Sequence, residues 1–208
     1  MKYIYEIENY LAYENHCRKQ GKRYICGIDE VGRGPLAGPV SVCACIMDLD
    51  KPVTGVRDSK KLTSGKRREL EPLIKQSCID YCIVDIEEDI IDEINILNAV
   101  LKGAKSAVEG LKVKPDIILI DALKVDFGIE TISIIGGDDK SYTIAAASIL
   151  AKVHRDTLMD SFDQKYPLYG FCRNKGYGTP EHIQALTKIG PAPIHRRTFL
   201  KKILEGAH

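Results

Sequence analysis

The stretch that decides the fold is "YICGIDEVGRGPLAGPVSVCACIM", residues 24–47. Two apolar runs flank a turn rich in glycine and proline, so it reads as two strands, over 23–29 and 38–47, close enough to pair antiparallel. Asp29 and Glu30 stand side by side where the first strand is expected to end. Neighbouring strand residues point to opposite faces, so both carboxyls serve one site only at a strand terminus, and Gly32 follows there. The turn "GRGPLAG" has the spacing GxGxxxG and leads into another strand rather than a helix. The chain also has no GxxxxGK[ST], so a loop that cradles a nucleotide is a weak reading. Glycine also permits close backbone approach to a ligand. A ribose 2′-hydroxyl, which both donates and accepts, suits the exposed amides and carbonyls of such a turn.

Working outward, residues 3–18 read as an amphipathic helix and 63–77 as a second helix with Thr63 as its cap. "CIDYCIVDI" alternates as a half-buried strand, and 90–111 carries apolar residues at helical spacing. "DIILID" and "ETISIIGGDD" are apolar runs without alternation, expected of central strands covered on both faces. A long helical pattern fills 142–164. A shorter one fills 179–190, with Thr179 capping, Pro180 in its first turn and Gly190 closing it. The order implies an α/β fold: a mixed sheet with helices on its faces. Without repeats or long linkers, the expectation is one domain over 1–208, with residues 160–208 as a C-terminal helical extension packed on it.

The 208 residues suffice for a substantial core, and 44% hydrophobic with 28% charged residues is an ordinary globular balance. No apolar run approaches a membrane span, and the first twenty residues lack the apolar core of a signal peptide, so a cytoplasmic protein with no membrane partner is expected. Seven cysteines without a CxxC pair read as buried reduced thiols, not a zinc site. The net charge of +1 hides an uneven distribution: residues 80–93 hold seven acids and no Lys or Arg, whereas "KKLTSGKRR" and "HRRTFLKK" are strongly basic. Such clusters offer a polyanion a positive face, although each alone reads equally as a solvated helix face.

Three strand segments end in acids: Asp29 with Glu30, Asp121 after "IILI", and Asp138 with Asp139 after "IIGG". Ligands of α/β sheets collect beyond the carboxyl ends of strands, so acids remote in sequence can converge there. Converging carboxyls resist ionisation unless a hard cation offsets their repulsion, which points to Mg²⁺ or Mn²⁺ and to two-ion phosphate chemistry. Taken singly, Asp121, Asp138 and Asp139 read as well as turn-formers or caps.

Together these residues resemble the type 2 ribonucleases H, specifically the ribonuclease HII family. The match runs through "GIDEVGRGPLAGPV", "DSKKL" at 58–62, "DEINILNA" at 92–99, "ILIDAL" at 118–123 and "GGDDKSYTIAAASILAKVHRD" at 136–156. It continues through "YPLYGF" at 166–171, "KGYGTPEH" at 175–182 and "GPAPIHRRTF" at 190–199. The resemblance implies a ribonuclease H-like fold with a mixed five-stranded sheet flanked by helices. It implies cleavage of RNA in RNA–DNA hybrids and incision 5′ to single ribonucleotides in duplex DNA, leaving 3′-hydroxyl and 5′-phosphate ends, with two Mg²⁺ or Mn²⁺ ions per site. By position, Asp29, Glu30, Asp121 and Asp138 match the metal ligands. Gly32, Arg33 and Gly34 match the element that senses the 2′-hydroxyl, and Tyr177 the tyrosine that packs on the following deoxyribose. Lys60, Lys152 and Arg155 fall where the family contacts phosphates. Asn174 stands where the family usually has His, and Val31 where alanine is also frequent. A monomer is expected. The rival readings are a hybrid-binding module without catalysis, which would lack a ligand, and a small-molecule α/β enzyme, which would show no salt-sensitive duplex binding.

Overall fold

The glycine turn does join two antiparallel strands, β1 (Ile25–Val31) and β2 (Val40–Met47), with Asp29 opposite Cys43 and Glu30 opposite Val42. The structure, a computed structural model, describes residues 10–205. Of the helix expected over 3–18, residues 3–9 lie outside that range; within it α1 runs Ala12–Lys19. Next come α2 (Ser64–Ser77), capped by the Thr63 side chain on the Lys66 amide, and β3 (Cys78–Ile86), antiparallel to β2. After these lie α3 (Glu88–Glu109), β4 (Ile117–Asp121) and β5 (Thr131–Ile134). The long α4 (Tyr142–Lys165) starts on the Ser141 side chain; α5 (Phe171–Asn174), α6 (Pro180–Ile189) and α7 (Arg197–Glu205) complete the chain.

The five strands lie in the order β3-β2-β1-β4-β5, with β1, β4 and β5 parallel. Alternation along the strands sorts side chains onto two faces. Cys26, Ile28, Val42, Ala44, Ile118 and Ile120 meet α3 on one face. Cys43, Cys45 and Met47 meet α2 and α4 on the other, as do Ile25, Ile117 and Leu119 with Ile144. The close approach of β1 to α4 requires Gly27, where a Cβ would stand 2.2 Å from the Thr143 carbonyl carbon. A third cluster joins Leu36 and Ala37 of the turn to Met159, Tyr169, Phe171, Leu186, Ile194 and Leu200, so the C-terminal helices pack directly beneath the glycine turn.

Three expectations are corrected. β1 does not stop at Asp29 but runs through Glu30 to Val31, because β2 keeps pairing with it up to Ser41. β5 is an edge strand, not a central one, and Ser133 on it is exposed; its apolar residues reflect docking on β4 and α4 rather than two covered faces. Helix α3 is not continuous, since Asn95 takes φ 67° and ψ 164° and its side chain caps the following segment at the Asn98 amide. Of the seven cysteines, all free, four are buried and two half-buried, but Cys172 is exposed. No helix among the described residues is long and apolar enough to cross a membrane.

Candidate active site

Asp29 lies on the α4 face of β1 and is buried. Burial pushes its carboxyl well above the usual carboxylate range, the neighbouring Glu30 and Asp121 push it further, and the Ser148 hydroxyl offsets part of this. Glu30 emerges on the opposite face of the strand. Burial raises its carboxyl too, against the Arg33 guanidinium, whose Nη1 lies 3.2 Å from Glu30 Oε1. Asp121 closes β4 and accepts the Gly137 amide at 2.7 Å. That bond folds the single turn Gly137–Asp139 between β5 and α4 over the end of β4, which brings in Asp138. Asp138 is buried and receives Lys60 Nζ at 2.8 Å, whereas Asp139 faces outward onto Lys61. Ser59 and Ser148, with oxygens 2.8 Å apart, tie the Lys60 turn to α4.

The four acids are therefore neighbours at one end of the sheet, close enough for Asp29 to feel Glu30 and Asp121 and for Lys60 to feel Asp29 and Asp138. Their chemistry fits a hard divalent cation: all-oxygen donors, two buried and two half-buried, whose repulsion a cation would relieve. Their rotamers do not meet at one point. Asp121 is turned onto the Gly137 amide and Asp138 onto Lys60, and among the described residues no three acid, His or Cys side chains form a ligand cluster.

The glycine turn stands beside these acids. Gly32 takes φ 97°, and a Cβ there would strike Arg155 Nε at 2.3 Å. Arg33 projects with about half its side chain exposed. A Cβ on Gly34 would sit 3.6 Å from the Tyr177 ring, and Tyr177 is exposed, so the turn and the tyrosine form one surface. Lys60 borders it, largely exposed. Lys152 is bound to Asp156 at 2.7 Å. Arg155, expected on phosphate, is instead fully buried, with its guanidinium donating to the carbonyls of Ala37, Pro39 and Lys175. It braces the turn from below and is not open to a phosphate. Asn174 is buried, donating to Tyr169 O and accepting the Gly176 amide, which shapes the left-handed pair Lys175–Gly176 before Tyr177.

Sequence reasoning missed Arg196. It is fully buried and donates to the carbonyls of Gly32, Arg33 and Gly38. In the run "HRRTF" nothing distinguishes this inward arginine from its neighbours. His182 and His195 are buried against each other and the rings of Tyr169 and Phe171, while His154 is bound to Asp85.

A mixed sheet of this order with acids gathered at the ends of β1 and β4 defines a ribonuclease H-like fold. The family model for ribonuclease HII matches residues 26–202. A ribonuclease HII from Caldicellulosiruptor bescii is 53% identical over 201 residues, covering 96% of this chain and 97% of the relative. Among solved structures, the ribonuclease H2 of Pyrococcus horikoshii OT3 superposes with a TM-score of 0.74 at 29% identity, covering 89% of this chain and 99% of the other. Ribonuclease HII of Archaeoglobus fulgidus, solved as a complex with PCNA, gives 0.72 at 26% identity over 84% and 94%. The chain belongs to the ribonuclease HII family, whose activity is endoribonucleolytic cleavage of RNA–DNA hybrids.

Proposed function

We propose that this protein incises duplex DNA 5′ to single embedded ribonucleotides, as well as the RNA of hybrids, leaving 3′-hydroxyl and 5′-phosphate ends. The reading rests on one observation: a carboxyl cluster, centred on buried Asp29 whose proton affinity is raised, lies directly against a glycine turn whose exposed residues Arg33 and Gly34 adjoin Tyr177. Asp29, Glu30, Asp121 and Asp138 would hold Mg²⁺ or Mn²⁺. Bound there, a pair of divalent cations would supply activation of water and stabilisation of the leaving 3′-oxygen.

The chain's own groups do the rest. The exposed Gly34 backbone lets the ribose approach closely, with no Cβ between, and together with the turn held by Gly32 reads its 2′-hydroxyl as donor and acceptor. Arg33, bound to Glu30, links that reading to the acid cluster. The Tyr177 ring offers an apolar face to the next sugar, which favours one without a 2′-hydroxyl. Lys60, paired with Asp138 and largely exposed, steers and neutralises phosphate, and would have to release that carboxylate for it to hold a metal ion.

A duplex carrying one ribonucleotide, incubated with the protein with and without Mg²⁺ or Mn²⁺ and beside an Asp121→Asn variant, tests the proposal. Cutting 5′ to the ribonucleotide by the wild type with metal alone is expected. Metal-independent or undiminished cutting by the variant refutes the assigned chemistry, and an inert wild type under both metals refutes the function.

A further inference from the structure

The recognition turn carries three glycines in seven residues, Gly32, Gly34 and Gly38, two of them at positive φ. So much backbone freedom is costly to freeze, and the turn between β1 and β2 has no sheet ladder of its own to freeze it. Arg155 of α4 holds its second half, and the rest of the grip comes from the far end of the chain. Arg196 Nη2 donates to Gly32 O at 2.6 Å and to Gly38 O at 2.8 Å, Nε to Gly38 O at 2.9 Å, and Nη1 to Arg33 O at 3.0 Å. The Arg196 amide donates to Leu36 O and the Gly38 amide to Ile194 O. Among the described residues this guanidinium has no carboxylate partner within ion-pair distance, and burial lowers its pKa to about 9. A buried charge satisfied by carbonyls alone, fixing them with a planar fork, is a clamp on backbone position that a single flexible ammonium could not reproduce.

The same segment reaches Tyr177. His195 forms a β-bridge with Ala37, and its Nε2 lies 3.0 Å from His182 Nε2. His182 Nδ1 lies 2.8 Å from Tyr177 O. Burial lowers both imidazoles, so at neutral pH the pair carries two ring protons. One on His182 Nδ1 satisfies Tyr177 O, and the other, on His195, serves either His182 Nε2 or Ala192 O, which lies 3.1 Å from His195 Nδ1. Two adjacent residues, 195 and 196, thus grip the turn and the tyrosine at once.

We infer that Arg196 and the His195–His182 pair are positioning residues that set the spacing between the glycine turn and Tyr177, and with it the preference for a ribonucleotide followed by a deoxyribonucleotide. This rests on the assignment of Gly32–Gly34 and Tyr177 to substrate recognition. A misplacement of about 1 Å in such a frame costs on the order of a hundredfold in rate; a loosened spacing registers most strongly where both elements must fit one junction.

The test measures kcat and KM of the wild type, Arg196→Met, Arg196→Lys, His182→Phe and Tyr177→Ala on two substrates, a duplex with one ribonucleotide and a uniform RNA–DNA hybrid. Assays run well below each variant's melting temperature by calorimetry. Arg196→Met is expected to lower kcat/KM for the single-ribonucleotide duplex relative to the hybrid by on the order of tenfold, and Arg196→Lys to restore part of that ratio. His182→Phe, which keeps the aromatic packing, shifts the same ratio. A purely structural role lowers both substrates in proportion. If Tyr177→Ala shifts the ratio while the Arg196 and His182 variants leave it unchanged, the inference is overturned and the recognition reading stands. If Tyr177→Ala leaves it unchanged, the reading fails and the inference with it. Should Arg196→Met not fold, the ratios of Arg196→Lys and His182→Phe decide.

Discussion

Replacing Asp29 with Asn is expected to make the metal-free protein more stable and nearly inactive. Asp29 is buried beside Glu30 and Asp121, and its carboxyl is held well above its usual range. The sign follows from linkage. For an acid whose folded pKa is raised, the unfolded chain ionises first, so stability falls as pH rises from the unfolded value to the folded one and stays reduced above it. Each unit of displacement costs about 1.4 kcal/mol. Asn keeps the volume and the hydrogen-bonding capacity toward Ser148 but removes the charge, which recovers that cost. For a chain of this size that is a rise in melting temperature of roughly 2 to 4 °C per kcal/mol. Scanning calorimetry in EDTA at pH 5 and pH 8 reads it directly, with the larger gain at pH 8. Added Mg²⁺ should raise the wild type by mass action and the variant less, narrowing or reversing the gap. Cleavage should fall by roughly 10²- to 10³-fold, the scale for losing one charge-stabilising group at a reacting centre. An Asp29→Asn variant that melts below the wild type in EDTA at pH 8 would refute the claim that repulsion is stored in this cluster.

Lys60→Met removes the ammonium that competes for Asp138, so titration calorimetry should show tighter Mg²⁺ or Mn²⁺ binding to the free protein, alongside weaker duplex binding at low salt. Gly27→Ala drives a Cβ into the Thr143 backbone at 2.2 Å; both sides are main chain, so a loss of about 3 kcal/mol, or roughly 6 to 12 °C in melting temperature, is expected by thermal denaturation. His195 has its pKa lowered to about 4 by burial, with His182 and Arg197 adding repulsion. The unfolded chain therefore takes up this proton first, and stability drains away as pH falls from about 6.5 toward 4. Because acids with raised pKa values such as Asp29 gain stability over the same range in both proteins, the decline is read in denaturant titrations as the difference between the wild type and a His195→Phe variant.

The topology was legible where local chemistry and tertiary context agree. Alternation in "CIDYCIVDI", the Thr63 and Thr179 caps and the glycine turn between β1 and β2 each specify their element with short-range signals. The errors lie where partners decide. The end of β1 is set by how far β2 accompanies it, and the edge position of β5 by the absence of a further strand among the described residues, neither of which an apolar run encodes. Asn95 breaks α3 against an unbroken apolar periodicity. At the candidate site, the four acids fall together as the strand ends imply, yet their rotamers follow Lys60 and the Gly137 amide, which spacing cannot reveal. Arginines pose the hardest problem. Arg33 faces solvent and Arg155 and Arg196 the interior, and only the carbonyls supplied by a distant turn make the inward orientation tolerable.

The bond from Arg196 to Gly32 spans 164 positions of the chain. During synthesis the strands bearing Asp29 and Asp121 leave the ribosome long before the residue that steadies the turn beside them. A nascent polypeptide, or one clipped shortly before position 196, would therefore possess its carboxylates with the adjoining turn gripped by Arg155 alone.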